Sequence, residues 1–183
     1  MSTHLDKLWS LSGIERYSFP ESENMYFDPV GLILFKEIKN MGYWCTPENT
    51  VTFAMTGGDG VHFGFLCGPE GSQDESPIVM TMPCADTSNI IIAENFLEFL
   101  SLGCRRGYFD LERIEYRPEE HLAVLDAQEY PSEIEENEMA LLKKIESAFS
   151  LKPWSNHKDR LAELKLKYLG SLEYSQEYHE ITT

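Results

Sequence analysis

The residues best placed by type and spacing to do chemistry lie in one stretch, TVTFAMTGGDGVHFGFLC, from Thr50 to Cys67. Glycines around Asp59 could cradle a phosphate with backbone amides, and Asp59 with His62 could share a metal. A phosphate loop, however, needs a Lys-Ser/Thr after its glycines, and a dinucleotide fingerprint joins a strand to a helix. Here the glycines join two apolar runs of strand character, and no third ligand stands at metal spacing. The stretch therefore reads as a structural turn built on Gly58, Asp59 and Gly60, with the catalytic and metal sets expected to be empty and no cofactor expected. PEEH at Pro118–His121 offers an acid beside a base, but a charged loop is the commoner explanation of such a run. Neither G-x-S-x-G nor H-E-x-x-H occurs, and Cys45, Cys67, Cys84 and Cys104 are too widely spaced for a C-x-x-C pair. They read as reduced, structural thiols. An enzyme or ligand binder with scattered groups, using a pocket near Asp59 and His62, stays open as an alternative.

The elements that position this turn follow from periodicity. Val51, Phe53 and Met55 alternate with Thr50, Thr52 and Thr56, and Val61, Phe63, Phe65 and Cys67 alternate with His62 and Gly64. That is the period of strands, and GGDG between them predicts an antiparallel hairpin with His62 on the face away from the core. PIVMTMP supplies a third strand, and Asn89–Ala93 a fourth or the approach to a helix. Phe96, Leu97, Phe99 and Leu100 then mark a helix ending at Gly103, and GYFDLERI adds a further helical turn. Upstream, Leu5, Leu8 and Trp9 predict a short helix, RYSFPESENMYF an ordered loop, and Asp28-Pro29 the start of a buried helix to about Asn40, with a strand as the alternative for so short an apolar run. The linker GPEGSQDES reads as an exposed loop. Downstream, Ser132 and Glu135 make a capping-box pattern before a helix to about Phe149, and a last helix starts near Lys158.

Length and composition allow one domain with a real core: 183 residues, 42% hydrophobic and 25% charged. Thirty-one acidic against 15 basic residues give a net charge of -16. This leaves no basic footprint for nucleic acid and disfavours an anionic membrane surface, while a field of that sign steers a basic protein toward encounter. The longest apolar run, VGLILF, is far short of a membrane span, and the N-terminus lacks the basic and apolar segments of a secretory signal, so a cytoplasmic location is expected.

The runs TFAMTGGDGVHFGFL, SPIVMTMP and NIIIAENFLEFLSLG together resemble the core of the SUKH superfamily, which includes fungal cell-wall-synthesis regulators and bacterial immunity proteins. In that family a Gly-Asp-Gly-like turn leads to a strand opening on Pro or Val, then to an alanine followed by an F-x-x-F-L helix. Here these positions are Gly58, Asp59 and Gly60, then Pro77 to Met82, then Ala93 with Phe96, Phe99 and Leu100. The resemblance spans Leu5 to Ile114. It implies an α+β domain with helices against a mainly antiparallel sheet, binding proteins and sharing no catalytic residues.

The expectation is thus an α+β fold with a mainly antiparallel sheet of about four strands, a core over residues 1–115 and a helical extension over 116–183 packed on the same domain. Its function is expected to be non-enzymatic protein interaction, most plausibly immunity by binding a basic toxin domain, with a regulatory scaffold as a further alternative. Glu119, Glu120, Glu133, Glu135 and Glu136 are the expected partner-binding carboxylates.

Overall fold

The computed structural model describes residues 2–67 and 73–182. In chain order its elements are α1 (Thr3–Ser10), β1 (Glu23–Phe27), β2 (Leu32–Lys39), β3 (Thr50–Met55), β4 (His62–Leu66), β5 (Ile78–Thr81), β6 (Asn89–Ala93), α2 (Phe96–Gly103), α3 (Arg113–Tyr116), α4 (Pro118–Asp126), α5 (Glu136–Phe149), α6 (His157–Tyr168) and α7 (Gln176–Ile181). The fold is α+β. The strands form one antiparallel meander in sequence order, β1 to β6.

The sheet has six strands among the described residues, not about four. The two additions are β1, in the segment expected to be a loop, and β2, in the segment expected to be helical. Asp28–Val30 do form a 3-10 turn with Pro29 near its start, but Gly31 then takes φ +79°, which ends the turn. A side chain at Gly31 would also strike the backbone of Phe109, 2.3 Å from its amide nitrogen. Released as a strand, Leu32–Phe35 are buried on both faces, which is why they show no alternation.

One face of the sheet carries the aromatic core. Phe53 lies 4.5 Å from Phe65 and 5.3 Å from Phe96, and Phe63 lies 5.0 Å from Phe99, all between ring centroids. Offset and edge contacts of this kind add to plain burial. Helix α2 delivers Phe96 and Phe99 to this cluster because Asn95 caps it, accepting from the Glu98 amide at 2.9 Å. Tyr108 closes the end, fully buried, its hydroxyl donating to the Leu100 carbonyl at 2.8 Å.

The other face is polar and also buried. The register sets His62 opposite Thr81 and Thr81 opposite Asn89, so these three form a row across β4, β5 and β6. The irregular stretch 40–49 lies over it: Asn89 Nδ2 donates to the Cys45 carbonyl at 2.8 Å, and Thr50 Oγ1 to the Pro47 carbonyl at 2.8 Å.

The later helices pack on this frame. Helix α6 rests on β6, with Leu161 and Leu164 buried, and Leu142 and Ile145 of α5 join the same hydrophobic core. Helix α5 begins three residues later than the capping pattern at Ser132 suggests: Glu135 is its N-cap and Glu138 completes the box. The linker before β5 is only partly an exposed loop. Residues 68–72 lie outside the described residues, but Asp74 is buried and takes hydrogen bonds from the Thr3 amide (3.0 Å), the His4 amide (3.1 Å) and the Ser2 hydroxyl (2.5 Å). It holds the first turn of α1, where a carboxylate is favoured. All four cysteines are unpaired; Cys45 and Cys104 are the buried pair, whereas Cys67 and Cys84, expected to fill apolar positions, are exposed. No helix among the described residues is long and apolar enough to cross a membrane.

Candidate partner-binding face

The turn between β3 and β4 is closed by two backbone bonds, Thr56 N to the Val61 carbonyl and Val61 N to the Gly58 carbonyl, each 3.0 Å. Asp59 (φ +47°) and Gly60 (φ +73°) are left-handed, whereas Gly58 is not. A side chain at Gly60 would stand 3.1 Å from the Tyr43 ring and 3.2 Å from Pro83, and one at Gly58 would stand 3.3 Å from the Phe109 ring. Two aromatic side chains from distant parts of the chain therefore flank the turn.

His62, expected on the polar face away from the core, is only 1% exposed. Its Nδ1 lies 2.7 Å from the Gly60 carbonyl, which can only accept, so Nδ1 carries the proton and Nε2 accepts from the Thr46 hydroxyl at 3.1 Å. Tyr43 stacks on the ring, 5.5 Å between centroids. Burial pushes the imidazole pKa down, which keeps it neutral. With both nitrogens engaged and no opening to solvent, His62 braces the turn and has no free atom to offer a substrate. Among the described residues no group of three or more His, Cys, Asp or Glu is arranged to hold a metal.

What gathers at the turn is negative charge. Burial raises the Glu112 carboxyl pKa, and the charges of Asp59 and Asp110 raise it further. Tyr116 is pushed up by desolvation and then by Glu112, Cys84, Asp59 and Glu115. Phe109 (51%), Tyr116 (52%) and Tyr43 (40%) stand partly exposed among these carboxylates. Beside them a cleft of about 300 Å³ is lined by Asp110, Glu133, Glu138, Phe109, Ile134 and Arg106. Some of the charge is answered locally: Arg113 Nε is 3.4 Å from Asp110, and Glu115 accepts from the Thr87 amide at 3.1 Å.

Two groups of carboxylates away from the turn are paired. Arg160 spans Glu94 and Glu98, each at 2.7 Å, and with Lys167 and Tyr168 it holds the Glu94 pKa down to about 2. Arg105 grips Glu146, lowering its pKa, with the Tyr130 hydroxyl donating to the same carboxylate at 3.1 Å. Arg105, Arg160 and Lys167, three of the 15 basic residues, thus fasten α5 and α6 to the core.

The five expected binding carboxylates do not form one cluster. Glu119 and Glu120 lie in the first turn of α4, Glu135 and Glu136 begin α5, and Glu133 alone of the five lines the cleft with Asp110. Glu135 is committed to its helix as a cap. Sequence reasoning passed over Phe109, Asp110, Glu112 and Tyr116; the three carboxylates held between two aromatics in FDLERIEY were the available signal.

No curated protein and no solved structure matches the chain. A protein-family model described as SMI1-KNR4 cell-wall matches residues 12–100, which take in all six strands and most of α2. With its sheet, its turn and its F-x-x-F-L helix, the matched part of the chain is similar to the SUKH superfamily.

Proposed function

We propose that this chain is a non-enzymatic protein-interaction domain, an immunity protein that neutralises a basic toxin domain by covering it. The observation that carries the reading is the grouping of Asp59, Asp110 and Glu112 at the turn beside exposed aromatic rings; burial and then the two neighbouring charges raise the Glu112 pKa. A cationic surface docked there relieves that repulsion, and the rings supply contact area of the kind that dominates interface energetics. Similarity of residues 12–100 to the SUKH superfamily supports a binding role. In this reading residues 1–115 are the core, 116–183 extend the same domain, and the protein acts in the cytoplasm. Of the expected carboxylates, Glu133 adds to this surface through the cleft it shares with Asp110, and Glu119, Glu120 and Glu136 are candidate secondary contacts.

The test is co-expression with a basic toxin domain encoded beside this chain. The wild type should restore growth, and Asp110→Lys with Glu112→Lys should lose that rescue while the thermal midpoint stays put. Association in vitro should slow with added salt, because screening shortens the reach of the field. Rescue undiminished by the double reversal, with an association rate indifferent to salt, would place the interface elsewhere.

A further inference from the structure

The C-terminal segment touches the rest of the chain in a restricted way. After Gly170, whose Cβ position is open space, it runs along the outside of stretch 40–49. Glu48 N donates to the Glu173 carbonyl at 2.7 Å, Asn49 Nδ2 to the Ser171 carbonyl at 2.8 Å, and Glu173 N to Asn49 Oδ1 at 3.1 Å. Tyr178 stacks on Trp44 at 5.8 Å and on Tyr174 at 3.9 Å. Leu172 is buried, but α7 contributes no buried residue. Its inner end is anchored by Leu172 in the core and by Tyr174, half-buried and bonded to Asn89; beyond them α7 lies on the surface, and such a segment belongs to the low-stability end of a fold.

The stretch it holds is what covers the polar row of the sheet. Cys45 is fully buried there, Thr46 bonds to His62, and Tyr43 leans on both His62 and the Asp59-Gly60 turn. Beneath, Thr52 is fully buried with its hydroxyl unpartnered, so the layer is not locked by complete hydrogen bonding. A chain of contacts thus leads from the C-terminal segment through Trp44 and Asn49 to Tyr43, and from Tyr43 to the turn.

We propose that residues 171–181 are a detachable strap, hinged at Gly170, whose docking on Trp44 and Asn49 orders stretch 43–49 and through Tyr43 fixes the turn face. This rests on the reading of the turn as the partner-binding face only for its consequence; the strap itself is a statement about local opening. Docked, the strap presents Tyr43 in place beside the acidic turn. Released, it loosens that aromatic flank and opens a path to Cys45.

The two buried thiols separate local from global opening, since Cys45 lies under the strapped stretch and Cys104 lies in the core by α2. Labelling with a thiol reagent, resolved by site with mass spectrometry, is compared in the full chain and in Trp44→Ala and Asn49→Ala. Loss of the two Asn49 side-chain bonds should accelerate Cys45 labelling roughly tenfold or more with Cys104 unchanged. Hydrogen exchange over residues 56–62 should rise with it. If Cys45 and Cys104 accelerate together in both variants, or neither changes, the segment is an integral part of the fold and the strap is refuted. If Cys45 accelerates while 56–62 stay protected, the link to the turn is refuted. These readouts need no partner, so failure to find a toxin would sink the proposed function and leave this result standing.

Discussion

At the residue scale, the turn rests on three left-handed backbone angles, at Gly57, Asp59 and Gly60. Glycine enters the left-handed region at little cost, and Asn or Asp does so more readily than other side chains. Gly60→Val places a β-branched residue at φ +73° and drives its Cβ toward Tyr43 and Pro83, so unfolding free energy should drop by about 1–3 kcal/mol in denaturant titration. Asp59→Asn keeps a residue suited to φ +47° and should leave that titration unchanged. Equal losses in the two variants would mean that the Asp59 carboxylate, and not the backbone, holds the turn. The sequence shows which residues tolerate such angles but not which adopt them: GGDG offers four candidates, and Gly58 is the one that does not use the freedom. Nor does it show that Phe109 and Glu112, about fifty residues further on, arrive beside Asp59, because that proximity is made by Gly31 letting the Phe109 backbone come close.

At the scale of elements, legibility follows from whether an element has two different faces. Strands β3 and β4 set the aromatic core on one side and Thr, His and Gly on the other, so their period of two is plain in the sequence. Strand β2 is buried on both faces over Leu32–Phe35 and has no period to read, and β1 carries two exposed residues in the middle, Met25 and Tyr26, that make it look like a loop. Helix starts are ambiguous in another way. Ser132 and Glu135 have the right types and spacing for a box, but the chain makes a turn there, with Ile134 N donating to the Pro131 carbonyl at 3.3 Å, and Glu135 itself becomes the cap. Glu135→Ala should therefore cost about 1 kcal/mol in thermal or chemical unfolding, the usual value of an N-cap, while Ser132→Ala should cost nothing measurable. The reverse ranking would move the start of α5 back to the position its sequence suggests. The same fact bears on the acidic surface: charge reversal at Glu135 would confound binding with helix stability, so reversals belong at Glu119, Glu120, Glu133 and Glu136.

At the scale of the whole molecule, net charge is legible from composition, but its consequence depends on where the few cations go. Arg105, Arg160 and Lys167 are spent on Glu146, Glu94 and Glu98, an arrangement that ties α5 and α6 to the core, while at the turn side Arg113 answers Asp110 and leaves Asp59 and Glu112 to repel each other. Two effects of acidification then compete. Repulsion among surplus carboxylates eases as they protonate, and Glu112, whose pKa is raised by burial and by its acidic neighbours, is relieved soonest. Against this stand His62 and His121, both buried, with pKa values lowered by desolvation. His121 meets Asp110, Arg113, Arg106 and His157 around it, and its Nε2 is without a hydrogen-bond partner. An unfolded imidazole takes up its proton near pH 6.5, and the folded ones resist until lower pH, so the unfolded state binds more protons in that window and stability falls as pH falls. Most carboxylates titrate near pH 4 and stay ionised between pH 7.5 and 5.5, so the histidines decide the sign there. The lowered pKa values of Asp74, Asp126 and Glu146 add their own loss only below that carboxylate range. Denaturant titrations should show unfolding free energy declining below pH 6.5 by up to about 1.4 kcal/mol per pH unit for each buried imidazole. His121→Leu should remove about half of that slope. A profile that rises toward pH 5.5 would mean that relief of the acidic surface outweighs both imidazoles, and an unaltered slope in His121→Leu would assign the effect to His62 under its cover of Tyr43 and Thr46.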